Sequence, residues 1–210
     1  MTRHLPFSVE INVNGILAFP GRSDGWTDRA VTLSHLHLGV RGEKFEHFSG
    51  CLTRFIWQEK RAIALASLAN NYLARGWQVF YRAHSNGCDV AIRSLRHIEH
   101  GHIAGMQLIA AAAEADFHRN GLNSALLHNR VSRVHLCCSP DDKALWAARI
   151  SHPFLNVVGN GYGSLGFTGP LNVADEIEHR VSTHWEPGFD HGSWLIGPQL
   201  LRTMKLLHKP

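Results

Sequence analysis

Short apolar runs bounded by glycine, proline and polar clusters alternate along the chain with longer stretches whose apolar residues recur at helical spacing. Ser8–Val13 alternates polar and apolar positions as a strand does, and Asn14-Gly15 ends it. Beyond the turn-like stretch Phe19–Gly25, Thr27 or Asp24 is placed to cap a helix through Ala30, Val31 and Leu33. Lys44–Phe48 reads as a short strand, and Gln58–Ala74 as a long helix stopped at Arg75-Gly76. A strand at Gln78–Tyr81 leads through Ala83–Gly87 into a helix-like run, Asp89–Leu95. Met106–Ala113 then reads as a buried strand, although its alanines equally suit a helix. Gly121–Leu127 is a short helix, and Val134–Cys138 is a strand followed by Ser139–Asp142 and a helix over Lys143–Ile150. Gly159–Gly166 has the composition of a flexible loop able to cover a site as a flap. A last strand is expected within Val173–Val181, and a closing helix over Gly197–Leu207.

This alternation predicts an α/β fold, with a mainly parallel central sheet and helices on both faces in three α/β/α layers. In such sheets ligands bind beyond the carboxyl ends of the strands. With 210 residues and no repeat or linker, residues 1–210 are expected to form a single domain.

The segment Ala83-His84-Ser85-Asn86-Gly87 sits where a strand becomes a helix, and it has the small-x-Ser-x-Gly pattern of a nucleophile elbow. The sharp turn requires little or no side chain two residues either side of the serine, as Ala83 and Gly87 provide. A serine hydroxyl is a poor nucleophile at neutral pH, so it needs an imidazole to take its proton and a carboxylate to orient that imidazole. Ser85, Asp142 after a later strand, and His191 near the C-terminus supply nucleophile, acid and base in that chain order. Asp141 is the alternative acid and His184 the alternative base. His84 is expected to pack or to point to solvent beside the site and not to serve as the base.

Composition narrows the classes without naming a function. A formal charge of +4 with scattered Lys and Arg gives no support to nucleic-acid binding. The 16 histidines make the charge sensitive to pH, but His97–His102 lacks the i,i+4 spacing of helical zinc ligands, so no metal is expected. The glycines at 159, 161, 163 and 166 do not open a helix after a strand, so no nucleotide cofactor is expected either. Cys51, Cys88, Cys137 and Cys138 read as free thiols. No run approaches the ~20 apolar residues that cross a bilayer, and the first residues lack a secretory segment, so a cytoplasmic location is expected.

From Val9 to Leu195 the chain resembles the α/β-hydrolase superfamily, specifically its small cap-less lipase- or esterase-like serine hydrolases. The likeness rests on the elbow, with Ala83 replacing the usual first glycine, and on the order Ser85, Asp142, His191. It also rests on Asn14-Gly15-Ile16, similar to the His-Gly-x oxyanion turn with asparagine for histidine. The resemblance implies hydrolysis of a small carboxylic ester or other acyl substrate through an acyl-enzyme, with the N–H groups of Ile16 and Asn86 forming the oxyanion hole. Acyl transfer or thioester cleavage on the same triad, and a non-catalytic binding protein of this fold, stay open at the sequence level, as does the oligomeric state.

Overall fold

The computed structural model describes residues 7–15, 25–47, 53–147 and 163–208. Six parallel strands form one sheet in the order β2-β1-β3-β4-β5-β6. They are β1 (Ser8–Val13), β2 (Arg41–Phe45), β3 (Gln78–His84), β4 (Ile103–Ile109), β5 (Val134–Cys138) and β6 (Val181–Trp185). Between them run α1 (Trp26–Leu33), α2 (Thr53–Leu73), α3 (Gly87–Ser94), α4 (Phe117–Asn120), α5 (Leu122–Leu127), α6 (residues 143–147) and α7 (Leu165–Thr168), and α8 (Gly197–Leu207) closes the chain. Helices cover both faces of the parallel sheet, the three-layer α/β/α arrangement. No helix among the described residues is long and apolar enough to cross a membrane.

The two faces of the sheet differ chemically. One carries Val9, Ile11, Val13, Val79, Tyr81, Ala83, Met106, Leu108, Val134 and Leu136, all at most 1% exposed, against Leu65, Ala66 and Ala69 of α2 and Val90 and Ala91 of α3. The opposite face holds a polar row in which Lys44, Asn12, Arg82, Gln107, His135 and Ser182 stand at matching register positions of successive strands. Within that layer Arg82 is ion-paired with Glu10, its Nε donates to Gln107 Oε1 at 2.8 Å, and Gln107 Nε2 donates to the Thr203 carbonyl of α8 at 2.8 Å. Glu10 also accepts from the Ser34 hydroxyl at 2.9 Å and contacts His208 Nε2 at 2.8 Å. Burial alone would raise the Glu10 carboxyl, but Arg82 and the hydrogen bonds from His208 and Ser34 outweigh it and hold the group below its ordinary range. Every member of such a network needs a partner, because an unpaired buried charge costs several kcal/mol, about 3–5.

Several expectations are corrected, among them the strand over Lys44–Phe48, which is β2, Arg41–Phe45. The strand expected over Met106–Ala113 is β4, Ile103–Ile109, and Ala110–Ala113 run on as buried irregular backbone with Ala110 at φ 45°. The last strand is Val181–Trp185, whereas Asp175–Arg180 forms a 3₁₀ turn because its polar residues face solvent around the one buried Ile177. Gly25 precedes α1 without a side-chain cap, and the Thr27 hydroxyl donates instead to Glu46 at 3.1 Å. Asp24 lies outside the described residues.

Candidate active site

Chain order reverses between β1 and β3, since the connection from β1 leads outward to β2 and the next returns past β1 to β3. Such a reversal point, at the carboxyl ends of the two strands, is the usual ligand position in an open α/β sheet. Asn14-Gly15 occupies the end of β1 and Ser85 the end of β3.

Ser85 has φ 55°, a left-handed conformation that costs a non-glycine residue about 1–2 kcal/mol. The turn is held from both sides by the tail of β4, because the Ser85 N–H donates to the Ile109 carbonyl at 3.0 Å and its carbonyl accepts from Ala112 N–H at 3.1 Å. Gly87 meets the turn of β1 so closely that a Cβ there would lie 2.3 Å from the Asn14 carbonyl oxygen. Gly15 faces the serine itself, with an added Cβ 2.9 Å from Ser85 Cβ. Small residues are therefore a steric requirement at both positions. Ser85 is 7% exposed at the start of α3, whose N-terminal end favours negative charge.

The structure brings Ser85, His191 and Asp142 into one hydrogen-bonded line. His191 Nε2 lies 2.8 Å from Ser85 Oγ, and His191 Nδ1 lies 2.8 Å from Asp142 Oδ2. A carboxylate only accepts, so Nδ1 carries the ring proton and Nε2 presents its lone pair to the serine hydroxyl. Asp142 is fully buried and caps α6 as well, with its Oδ1 accepting from the Leu145 N–H at 2.9 Å. One carboxylate thus starts the helix and contacts the histidine.

The rivals have other partners. Asp141 Oδ2 accepts from the Gly188 N–H at 2.7 Å, and the Ser139 hydroxyl donates to the Phe189 carbonyl at 2.6 Å, so the turn after β5 holds the loop that carries His191. His184, on β6, pairs with Glu186 at 2.9 Å and meets Trp194 edge-on. Asp190 closes the loop by accepting from the N–H groups of Gly192 and Ser193 and from the Ser193 hydroxyl, bonds that hold its carboxyl below the usual range. Of the two placements open to His84, the structure has it packed, with Nε2 2.9 Å from the His191 carbonyl oxygen.

Of the two expected oxyanion donors, Asn86 stands at the first turn of the elbow and Ile16 lies outside the described residues. The Asn86 side chain accepts from Gln58 at 3.2 Å, and Gln58 also donates to Asp89 at 2.9 Å, tying α2 to the start of α3. Asn14 Oδ1 accepts from the His47 N–H at 3.2 Å and so fixes the turn just before Gly15. Buried His47 is pushed down to about 4 by burial and by the Arg61 charge. The periodicity of α2 gave no sign that Gln58 would reach the elbow.

Part of the glycine-rich stretch departs from the expected flap. Leu165 N–H donates to the Ala113 carbonyl at 3.1 Å, Gly166 N–H to Ala111 at 3.0 Å, and Ser139 N–H to Gly166 at 2.9 Å. Gly163 and Gly166 sit against the backbone of Ala110–Glu114 with no room for a side chain, while Gly159 and Gly161 lie outside the described residues. Trp26 and Trp194 are core residues at 2% and 1% exposure, and Trp185 is exposed. Cys88, Cys137 and Cys138 are buried free thiols, and Cys51 lies outside the described residues. Among the described residues, no group of His, Cys, Asp and Glu side chains could hold a metal ion.

No protein-family model matches this sequence, and comparison with the curated proteins finds no match. Solved structures do match. An uncharacterized protein from Bacillus cereus aligns with a TM-score of 0.61 and 11% identity over 99% of this chain, which spans only 61% of that protein's length. A hyperthermophilic esterase from the archaeon Pyrobaculum calidifontis aligns at 0.57 and 12% over 96% of this chain and 76% of its own. The Francisella virulence factor BioJ aligns at 0.55 and 10% over 98% of this chain and 77% of its own. At such identities the likeness is one of fold, and the sheet order, the helical layers and these neighbours together give this chain a fold of the α/β-hydrolase type.

Proposed function

We propose that this chain is a serine hydrolase that cleaves a carboxylic ester through an acyl-enzyme intermediate. The observation that carries this reading is the line from Asp142 through His191 to Ser85, with both contacts at 2.8 Å, ending on a serine in a left-handed turn where the strand order reverses. An esterase among the structural neighbours supports the same reaction class.

In this reading His191 Nε2 takes the Ser85 proton as Oγ attacks the ester carbonyl, and Asp142 stabilises the imidazolium that forms. The carbonyl oxygen becomes an oxyanion, which the Asn86 N–H receives at the positive end of α3, with the Ile16 N–H as the second donor that the resemblance implies. His191 then gives its proton to the leaving alcohol, and Ser85 is left acylated. Water then attacks the acyl carbon as His191 takes its proton, and His191 returns that proton to Ser85 Oγ as the acyl–Oγ bond breaks, releasing the acid and restoring the serine. Of these steps the first is the most directly supported, because the neutral tautomer with its lone pair toward Ser85 follows from the Asp142 contact.

The test is labelling with a fluorophosphonate, followed by turnover of nitrophenyl esters of increasing acyl length. Wild type should be labelled at Ser85, and Ser85→Ala should lose labelling and about 10⁶-fold in turnover. A Ser85→Ala protein that hydrolyses the esters at the wild-type rate would overturn the assignment.

A further inference from the structure

His84, the residue before the candidate nucleophile, has no part in the proton path just described, yet it is buried and directed at the candidate base. It ends β3 at 8% exposure, on the sheet face that carries Glu10 and Arg82. Its ring lies between Trp26 of α1, centroids 6.1 Å apart at 66°, and the His191 ring, centroids 4.8 Å apart at 50°. Its Nε2 is 2.9 Å from the His191 carbonyl oxygen. A carbonyl only accepts, so Nε2 bears a proton and His84 is the donor.

We propose that His84 is a positioning residue that fixes the main chain of His191 to the strand of the nucleophile. The inference rests on the reading of Ser85 and His191 as nucleophile and base. His84 and Ser85 are covalent neighbours, and each contacts His191, one at its carbonyl and the other at its ring. The dipeptide and the histidine therefore form a closed ring of contacts that sets the distance between Oγ and Nε2. The need for such a tether follows from the local fold. His191 sits between β6 and a single 3₁₀ turn, Ser193–Leu195, and no helix or strand ladder fixes its backbone. Asp141, Ser139 and Asp190 hold the loop on either side, at Gly188, Phe189 and Gly192. His84 holds residue 191 itself.

Its charge state suits the role. Burial, and then the neighbouring His191, push the His84 ring down to about 3, so it stays neutral at working pH. A neutral donor tethers the carbonyl without placing a second positive charge 4.8 Å from a ring that becomes imidazolium in each catalytic step.

The experiment compares His84→Gln, whose side-chain amide reaches the place of Nε2, with His84→Asn, which is too short, and His84→Leu, which has no donor. Each is measured for kcat and KM on a nitrophenyl ester, for the rate of fluorophosphonate labelling, and for thermal stability. Leu and Asn should lower kcat and the labelling rate about 100-fold, the scale of a misplacement near 1 Å, with KM changed less than about 3-fold. Gln should recover most of both rates, to within about 5-fold of wild type. Rescue by Gln at a stability no higher than that of Asn separates tethering from simple packing. If His84→Leu fails to fold, the Gln and Asn pair decides the matter. Equal rates in Gln and Asn, or a wild-type rate in Leu, would overturn the inference while leaving Ser85 labelled. A wild-type chain that neither takes up the probe nor turns over the ester removes the reading of Ser85, and this inference with it.

Discussion

Gly87→Ala tests how far the proposed chemistry depends on the fit of two strand ends. The methyl group would lie 2.3 Å from the Asn14 carbonyl oxygen and 2.8 Å from that of Val13, about 1 Å inside ordinary contact near 3.4 Å. Neither neighbour is a flexible side chain; both are backbone, Val13 at the end of β1, locked by parallel pairing to β2 and β3, and Asn14 just beyond it. The relief must therefore come from α3, which backs away from β1 by roughly 1 Å and carries Asn86 and Ser85 with it. Such a shift stretches the 2.8 Å contact between Ser85 and His191 and moves the Asn86 amide from the oxyanion position. On that basis kcat on a nitrophenyl ester falls about 100-fold, and overpacking lowers stability by about 1–3 kcal/mol. For a chain of this size that is roughly 3–10 °C in Tm. Gly76→Ala is the control, because Gly76 has φ 75° with open space around it and lies away from the site. It should lower stability by about 1–2 kcal/mol with kcat unchanged. A wild-type kcat in Gly87→Ala, or an equal loss in Gly76→Ala, would show that this close approach does not set the geometry of the site.

Other predictions address the carboxylates and acid stability. Asp142→Asn should reduce turnover about 10⁴-fold by favouring the wrong tautomer of His191, whereas Asp141→Asn, which weakens only the hold on Gly188, should cost about 10-fold or less; single-turnover kinetics on one ester compares them. Stability should fall on acidification. Burial first, with a nearby positive charge, depresses His84 to about 3 and His47 to about 4 from 6.5, so the unfolded chain binds protons that the folded chain refuses. Their contribution is complete above pH 6.5 and is lost progressively as the pH falls toward 4, and Glu10, depressed from 4.5, adds to the loss below that value. Urea midpoints at pH 7, 5.5 and 4.5 check the sign, and a midpoint constant over that range would refute it.

Much of the fold follows from local pattern. Ser8–Val13, Val134–Cys138 and Gly197–Leu207 were legible because alternation, a short apolar run between turns, and helical spacing each leave a local mark. The alanines of residues 110–113 carry no such mark, having neither bulk nor period, and only the tertiary pairing to Ser85 and Leu165 decides where β4 stops. β6 was displaced along the chain because it is an edge strand, only half-buried, so its residues need not alternate clearly. For the candidate site, Ser85 is marked by its small neighbours. The choice between Asp141 and Asp142 is not marked, since two adjacent carboxylates differ only in which one turns inward to cap α6. The His191 contacts span 106 residues to Ser85 and 49 to Asp142, distances over which no short-range pattern reports.

The polar row across the sheet has a consequence for registration. In an all-apolar parallel sheet, a strand that slips by two residues keeps its side chains on the same faces and loses little that burial can detect. Here a slip of β3 in either direction would take Arg82 from opposite Gln107 to opposite Gly105 or Ile109, and a slip toward the carboxyl end of β1 would also carry it away from Glu10, leaving a fully buried charge unpaired at a cost of about 3–5 kcal/mol. Two residues of strand are about 6.6 Å, more than twice the 2.8 Å that joins Ser85 to His191. The row thus acts as a vernier for the assembling chain: Glu10 and Arg82, three and two residues short of the ends of their strands, together with Gln107 favour the alignment in which Asn14, Ser85 and the tail of β4 meet.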